Sequence, residues 1–297
     1  MEPEVLMATA VRLAAGLEAF AALAAYARIE SESLDADPEM CARLRDVACE
    51  LLGDADLPPG PVAAQVVGMV RSFLRQAVDL VDDPGRAGGW EHLDPALLQG
   101  IGRLSGAVVA AIAAAAASLD GLGARFASPD ARFLDVGTGT GWIAIAVAHA
   151  FPAVQVVGID VFDAPLALAR TNVESEGLGA RIELRVADIA TMDDVDAFDA
   201  MWLPLPFLPH AVVPAALAVA RRALRPGGWV LPGLFAGPDE PLAQRLVDLR
   251  TVRGGGYPWP AEELIEQIAT AGFTDVSEIP RTWPAPVRLF AGRAPSP

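Results

Sequence analysis

The stretch Phe133-Leu-Asp-Val-Gly-Thr-Gly-Thr-Gly-Trp142 is a short apolar strand that runs straight into a glycine-rich turn, and the apolar residues 143–149 after it predict a helix. Gly137, Gly139 and Gly141 let the backbone turn tightly and leave no Cβ between it and a ligand. The spacing is GxGxG. A dinucleotide fingerprint needs its third glycine at 142, where Trp142 stands, and this weakens a diphosphate ligand.

Outward from this turn, short apolar runs alternate with helical stretches from about residue 130 onward. That alternation is the mark of βαβ units on a parallel sheet covered on both faces. Strands are predicted at 133–136, 154–159, 182–186, 198–202, 229–231, 274–279 and 287–291, with a strand pair closing the chain. The expected fold is α/β: a doubly wound, seven-stranded, Rossmann-like sheet.

Residues 1–123 read as helices throughout, so the chain divides into an all-helical N-terminal domain (1–123) and an α/β domain (124–297). Asp37-Pro38-Glu39 and Asp94-Pro95 each place a capping Asp before a Pro at the first helical position. Met40, Leu44, Val47 and Leu51 form one apolar stripe, and Val66, Val70, Phe73 and Ala77 another. Breaks at 57–61 and 82–85 separate about five helices. The Ala-rich segment 105–119 requires another surface close against it, either the second domain or a partner subunit.

Three carboxylates, Asp135, Asp160 and Asp188, stand at the predicted carboxyl ends of the first three strands, the edge where open α/β sheets bind ligands. Such an edge repels phosphate. Asp160 suits a pair of ribose hydroxyls, while Asp188 followed by Ile189 offers an acceptor for an exocyclic amine and an apolar contact for a flat ring. A ligand with a sulfonium, an amine, a ribose and an adenine fits all three.

Residues from about 132 to 293 resemble the class I S-adenosylmethionine-dependent methyltransferases. The resemblance runs through Asp135-Val-Gly-Thr-Gly-Thr-Gly141, Gly158-Ile-Asp160, Ala187-Asp188-Ile189, Leu224-Arg-Pro-Gly-Gly-Trp-Val-Leu231 and Ala271-Gly-Phe-Thr-Asp-Val276. It implies S-adenosylmethionine as cofactor. Gly137, Gly139 and Gly141 would lie under its methionine end, Asp160 would hold the ribose, and Asp188 with Ile189 would take the adenine. Asp135, Thr138, Val161 and Trp202 complete the expected cofactor set.

Gly137-Thr-Gly-Thr-Gly-Trp-Ile-Ala-Ile-Ala146 and Ala167-Leu-Ala-Arg-Thr-Asn172 are similar to the release-factor glutamine methyltransferases, which also carry a helical N-terminal domain. Those enzymes hold a planar nitrogen with Asn-Pro-Pro-Tyr after the fourth strand. Here Pro204-Leu-Pro-Phe207 stands in that place without the amide. Small-molecule O-methyltransferases commonly have a catalytic His after the fifth strand, and Pro232-Gly-Leu-Phe-Ala-Gly-Pro-Asp239 has none.

His210, just past the fourth strand's loop, is the first candidate for a general base. His149 in the last turn of its helix suits the helix dipole, and His92 lies in a loop between helices. Leu203, Phe207 and Tyr257 are expected to line an acceptor, with Trp202 as a further apolar wall. Arg253-Gly-Gly-Gly-Tyr-Pro258 reads either as a lid or as a plain linker.

Composition bounds the partners. Net charge is −16, and all 22 cations are Arg, so a nucleic-acid partner is not expected. Cys41 and Cys49 are the only cysteines, and eight residues apart on one helix they sit roughly 12 Å from each other at 1.5 Å per residue, too far to bridge. No metal site, secretion leader or membrane span is expected, and the natural compartment is cytoplasmic. The reading is a methyltransferase for a small apolar or neutral acceptor, by O- or C-methylation in secondary metabolism, with the N-terminal helices covering the site or forming a homodimer. Other readings stay open: a cofactor-binding protein without methyl transfer, a protein methyltransferase, and a nicotinamide oxidoreductase.

Overall fold

The computed structural model describes residues 2–53, 61–90 and 94–296. The chain forms two compact units, Met1–Pro84 and Gly85–Pro297. The first is helical: α1 (Pro3–Glu32), α2 (Pro38–Leu52) and α3 (Pro61–Asp82), with α1 packed against both others. Asp37 caps α2 as expected, accepting the Met40 amide at 2.9 Å. Its buried core is small, with Ala27, Ala63 and Val67 in contact. The break expected at 57–61 lies almost entirely outside the described residues.

The second unit starts well before residue 123. It opens with α4 (Pro95–Ser105), a 3-10 turn at Gly106–Val108, α5 (Val109–Ser118) and α6 (Leu122–Phe126). The chain therefore divides near 84, because α4 to α6 pack on the sheet's own helices. Ala111, Ile112 and Ala115 of α5 are fully buried in one core with Phe133, Val147 and Trp229. The surface that the Ala-rich segment demanded is in the same unit. Small side chains let α5 approach closely.

The sheet comprises β1 (Arg132–Val136), β2 (Gln155–Asp160), β3 (Ile182–Val186), β4 (Phe198–Pro204), β5 (Leu224–Phe235), β6 (Thr274–Ile279) and β7 (Val287–Arg293), in the order β3-β2-β1-β4-β5-β7-β6. The first five are mutually parallel and β7 runs antiparallel between β5 and β6. All seven strands fall where the sequence placed them, and β5 is longer at both ends. Four helices complete the two layers with α10 (Pro241–Arg253): α7 (Trp142–Ala150) and α8 (Asp163–Ser175) on the α5 side, α9 (Val213–Ala223) and α11 (Ala261–Thr270) on the other.

By length and composition alone, Pro3–Glu32 and the run Pro95–Ser118 are apolar enough to cross a membrane. The second is interrupted by its 3-10 turn and packs on α7.

At the amino-terminal edge of the sheet, one carboxylate ties four elements together. Asp199, 4% exposed, accepts from Arg125 Nη1 at 3.0 Å, the Arg132 amide at 2.9 Å and Arg225 Nη1 at 2.8 Å. This explains the irregular start of β5, whose register against β4 shifts between Phe198 and Ala200. Gly228 has room there for no side chain, since a Cβ would come 3.0 Å from the Asp199 carbonyl oxygen. Asp199→Ala should remove the acceptor shared by two guanidinium groups and a strand amide and cost about 3 kcal/mol, the low end for a broken buried pair because both arginines keep other acceptors and about a third of their side-chain surface in water. A urea titration of the variant checks this, and an unchanged midpoint would contradict it.

Candidate active site

The site begins where β1 ends at the centre of the sheet. Gly137, Gly139 and Gly141 have φ of 63°, 56° and 82°, values that side chains disfavour, and together they carry the chain from β1 into α7. The turn is held by its own bonds. The Thr138 amide donates to the Ile159 carbonyl at 2.9 Å, and the Gly141 amide to the Thr138 carbonyl at 2.8 Å.

Asp135 is fully buried. Its Oδ2 accepts the Thr138 hydroxyl at 2.7 Å, while Oδ1 has no partner. Burial pushes its pKa up to about 7; the Thr138 hydroxyl and the Ala144 amide at the start of α7 pull the other way, and the charge of Asp160 adds to the rise. Such a carboxyl gains most from a cation set beside it. Asp160 at the end of β2 accepts the Gly139 amide at 2.9 Å and the Phe162 amide at 3.0 Å, so the second strand and the glycine turn share one anchor. Burial raises its pKa too, against the pull of the Phe162, Gly139 and Val161 amides. Val161 beside it is exposed. Asp188, just beyond β3, is exposed and accepts the Ala190 amide at 2.8 Å, and Ile189 is buried. The three carboxylates thus share one edge. The orphaned buried oxygen and the glycine turn suit a nucleoside that carries positive charge.

Beside Asp135 in the β1–β4 register stands Trp202. Its ring lies over Gly233 of β5, where a Cβ would come 2.0 Å from the indole. It is buried in the core shared with α5 and α7. Leu203, expected to face an acceptor, is instead fully buried in the opposite core, since alternate residues of a strand face opposite sides.

Phe207 stands half-buried after β4. Trp90 meets it at 5.0 Å between ring centroids and Phe235, ending β5, meets it at 5.7 Å, both edge to face. Trp90 and Phe235 were not singled out in the sequence. Phe235 carried a signal, lying at the end of a strand on the ligand-binding edge; Trp90 carried none, because its place depends on backbone pairing far along the chain.

That pairing also decides the glycine segment expected to be a lid or linker. The Gly89 amide donates to the Arg253 carbonyl at 3.0 Å. A Cβ on Gly254 or Gly256 would come 2.6 Å from the Pro206 or Leu205 carbonyl oxygen respectively. The glycines serve close packing against the β4 loop, so neither an open lid nor a loose linker describes them.

His210 and Tyr257 come together, with ring centroids 4.5 Å apart. Trp259 lies 4.7 Å from the imidazole, and Glu263 Oε1 lies 4.0 Å from His210 Nε2. His149 faces Glu176 at 3.2 Å on the surface. His92 lies outside the described residues. Among the described residues no group of three His, Cys, Asp or Glu side chains could hold a metal.

Residues 133–228 match the family model of a methyltransferase domain. The chain is 30% identical over 155 residues to the release factor glutamine methyltransferase of Gloeobacter violaceus, covering 41% of this chain and 54% of that protein. It is 34% identical over 134 residues to the ubiquinone/menaquinone biosynthesis C-methyltransferase of Dinoroseobacter shibae, covering 45% and 52%. The chain thus spans about half the length of these curated relatives. Among solved structures, an O-methyltransferase family protein from Burkholderia thailandensis superposes with a TM-score of 0.69 at 13% identity, covering 100% of this chain and 99% of that one. Human N-acetylserotonin methyltransferase gives 0.68 at 15% identity, with the same coverage. At these identities the likeness is one of fold. The glycine turn and its carboxylates therefore lie within the stretch that matches a methyltransferase domain.

Because the Asp135 carboxyl titrates above its ordinary 3.8, the stability it contributes to the ligand-free fold is complete below about pH 4 and is lost as pH rises through about 7. A cation bound beside it reverses this preference. The thermal midpoint of the free protein should fall more steeply between about pH 4 and 7 than that of Asp135→Asn. Cofactor binding at pH 7 should release a fraction of a proton in the wild type and none in the variant, read by calorimetry in buffers of different ionisation enthalpy.

Proposed function

We propose that the protein is an S-adenosylmethionine-dependent methyltransferase acting on a small apolar or neutral acceptor, by O- or C-methylation in secondary metabolism. The observation that carries the acceptor class is the Trp90–Phe207–Phe235 ring cluster at the carboxyl ends of β4 and β5, on the same sheet edge as Asp135 and Asp160. Edge-to-face rings offer an apolar wall with little hydrogen bonding, which suits a flat, uncharged molecule.

When bound, S-adenosylmethionine supplies an electrophilic methyl group on a sulfonium. Asp135 is the group to balance positive charge at the methionine end, Asp160 to orient the ribose, and Asp188 with Ile189 to receive the adenine. The rings hold the acceptor in line and exclude water, so positioning does most of the catalytic work. For a hydroxyl acceptor, His210 takes the proton, with Glu263 beside its Nε2 to stabilise the imidazolium.

A protein acceptor is the second reading, favoured by the similarity to release factor glutamine methyltransferases. Against it, Pro204-Leu-Pro-Phe207 offers no side-chain amide to a planar nitrogen. Homodimerisation through the N-terminal helices is supported by the exposed Val5, Leu6, Val11, Leu13 and Leu17 of α1. A cytoplasmic location without a nucleic-acid or membrane partner is part of the same proposal, and rests on the strong negative charge and the paucity of cysteine.

Titration with S-adenosylmethionine and S-adenosylhomocysteine should give micromolar binding, weakened at least tenfold in Asp160→Ala. Absence of binding by the wild type would end the reading. With an acceptor found by a mass shift of 14 Da, His210→Ala should lose turnover roughly a hundredfold while keeping its cofactor affinity. Undiminished turnover would remove His210 from the mechanism.

A further inference from the structure

Helix α4 reaches the glycine turn through a polar contact that the proposed function leaves unused. Gln99 and Asn172 form a reciprocal amide pair: Gln99 Nε2 donates to Asn172 Oδ1 at 2.9 Å, and Asn172 Nδ2 donates to Gln99 Oε1 at 3.1 Å. Each amide then reaches one step further. Gln99 Oε1 also accepts the Trp142 indole N–H at 3.0 Å, and Asn172 Nδ2 also donates to the Thr140 carbonyl at 2.8 Å.

Thr140 and Trp142 flank Gly141, the last glycine of the turn. Two side-chain amides, one on α4 and one on α8, therefore grip the turn on both sides of the residue that converts it into α7. Asn172 is only 7% exposed, so its donors and acceptor are committed to these bonds. Gly102, one helical turn past Gln99, lets α4 come this near: a Cβ there would stand 1.9 Å from Thr140 Oγ1 and 2.9 Å from the Trp142 ring. Arg103 lies over the same indole at 5.3 Å.

A glycine turn left alone has many accessible conformations, and a ligand that needs one of them loses affinity in proportion to the others. We infer that Gln99 is a positioning residue of the cofactor site, holding the glycine turn through Asn172 and Trp142 in the shape that receives the charged, amino-acid end of the cofactor. The inference rests on the cofactor reading and deepens it. The part of the ligand concerned is the one that Asp135 attracts, since Asp135, with one orphaned oxygen, is bonded to Thr138 of the same turn. The adenosine part depends on Asp160 and Asp188 at the ends of other strands.

That division supplies a readout which a merely structural role would not move. S-adenosylhomocysteine and 5′-methylthioadenosine share the adenosine and the sulfur, but only the first carries the amino-acid end. In Gln99→Met, which keeps the length and loses both amide atoms, the Kd for S-adenosylhomocysteine should rise about tenfold, as the loss of buried hydrogen bonds predicts, with that for methylthioadenosine nearly unchanged. Trp142→Phe, which removes the indole donor together with part of the ring, should move the ratio in the same direction by less, and serves if the first variant folds poorly. Equal weakening of both ligands, or of neither, would overturn the positioning role. If the wild type bound neither ligand, the cofactor reading itself would fall, and the inference with it.

Discussion

A carboxylate shut away from water sets the terms for this unit. Asp135 ends the central strand of the parallel sheet with one oxygen held by Thr138 and the other unpartnered. Burying such a group costs free energy unless something charged answers it, which is why it sits at a ligand edge. The turn that holds it must then reverse sharply into α7, and only residues tolerant of positive φ do so without strain. Thr138, Gly139 and Asp160 lock that turn to the second strand. The two strands and the helix between them are thereby joined by hydrogen bonds through the turn.

Around this seat the remaining elements divide the work. Helices α4 and α5 belong with the sheet because they pack on α7, and α4 is joined to the turn by side-chain amides as well as by apolar contact. Beyond β4, backbone carbonyls of its loop meet glycines of the segment after α10, and the same seam delivers Trp90 to Phe207. At the opposite edge Asp199 binds two arginines and a strand amide, so charge ties that end of the sheet together.

Much of this was legible in the residues. Apolar runs marked all seven strands, and the GxGxG spacing marked the turn after β1, because strand burial and turn conformation both act on consecutive residues. Side-chain direction near the edge was harder: Leu203 adjoins Trp202 in sequence, yet it faces the opposite core. The boundary between units was misplaced for a similar reason, since α4 to α6 are helices like those before them and only their packing partner differs.

The sequence by itself determined the class of sheet, the turn at its centre and the carboxylates beside it, all of which depend on neighbours along the chain. Only the tertiary structure decided that Gln99 reaches Asn172, that Trp90 meets Phe207 and that His210 meets Tyr257. These contacts join residues tens of positions apart, and the free energy that selects them comes from burying surfaces that exist only once the helices and strands have packed.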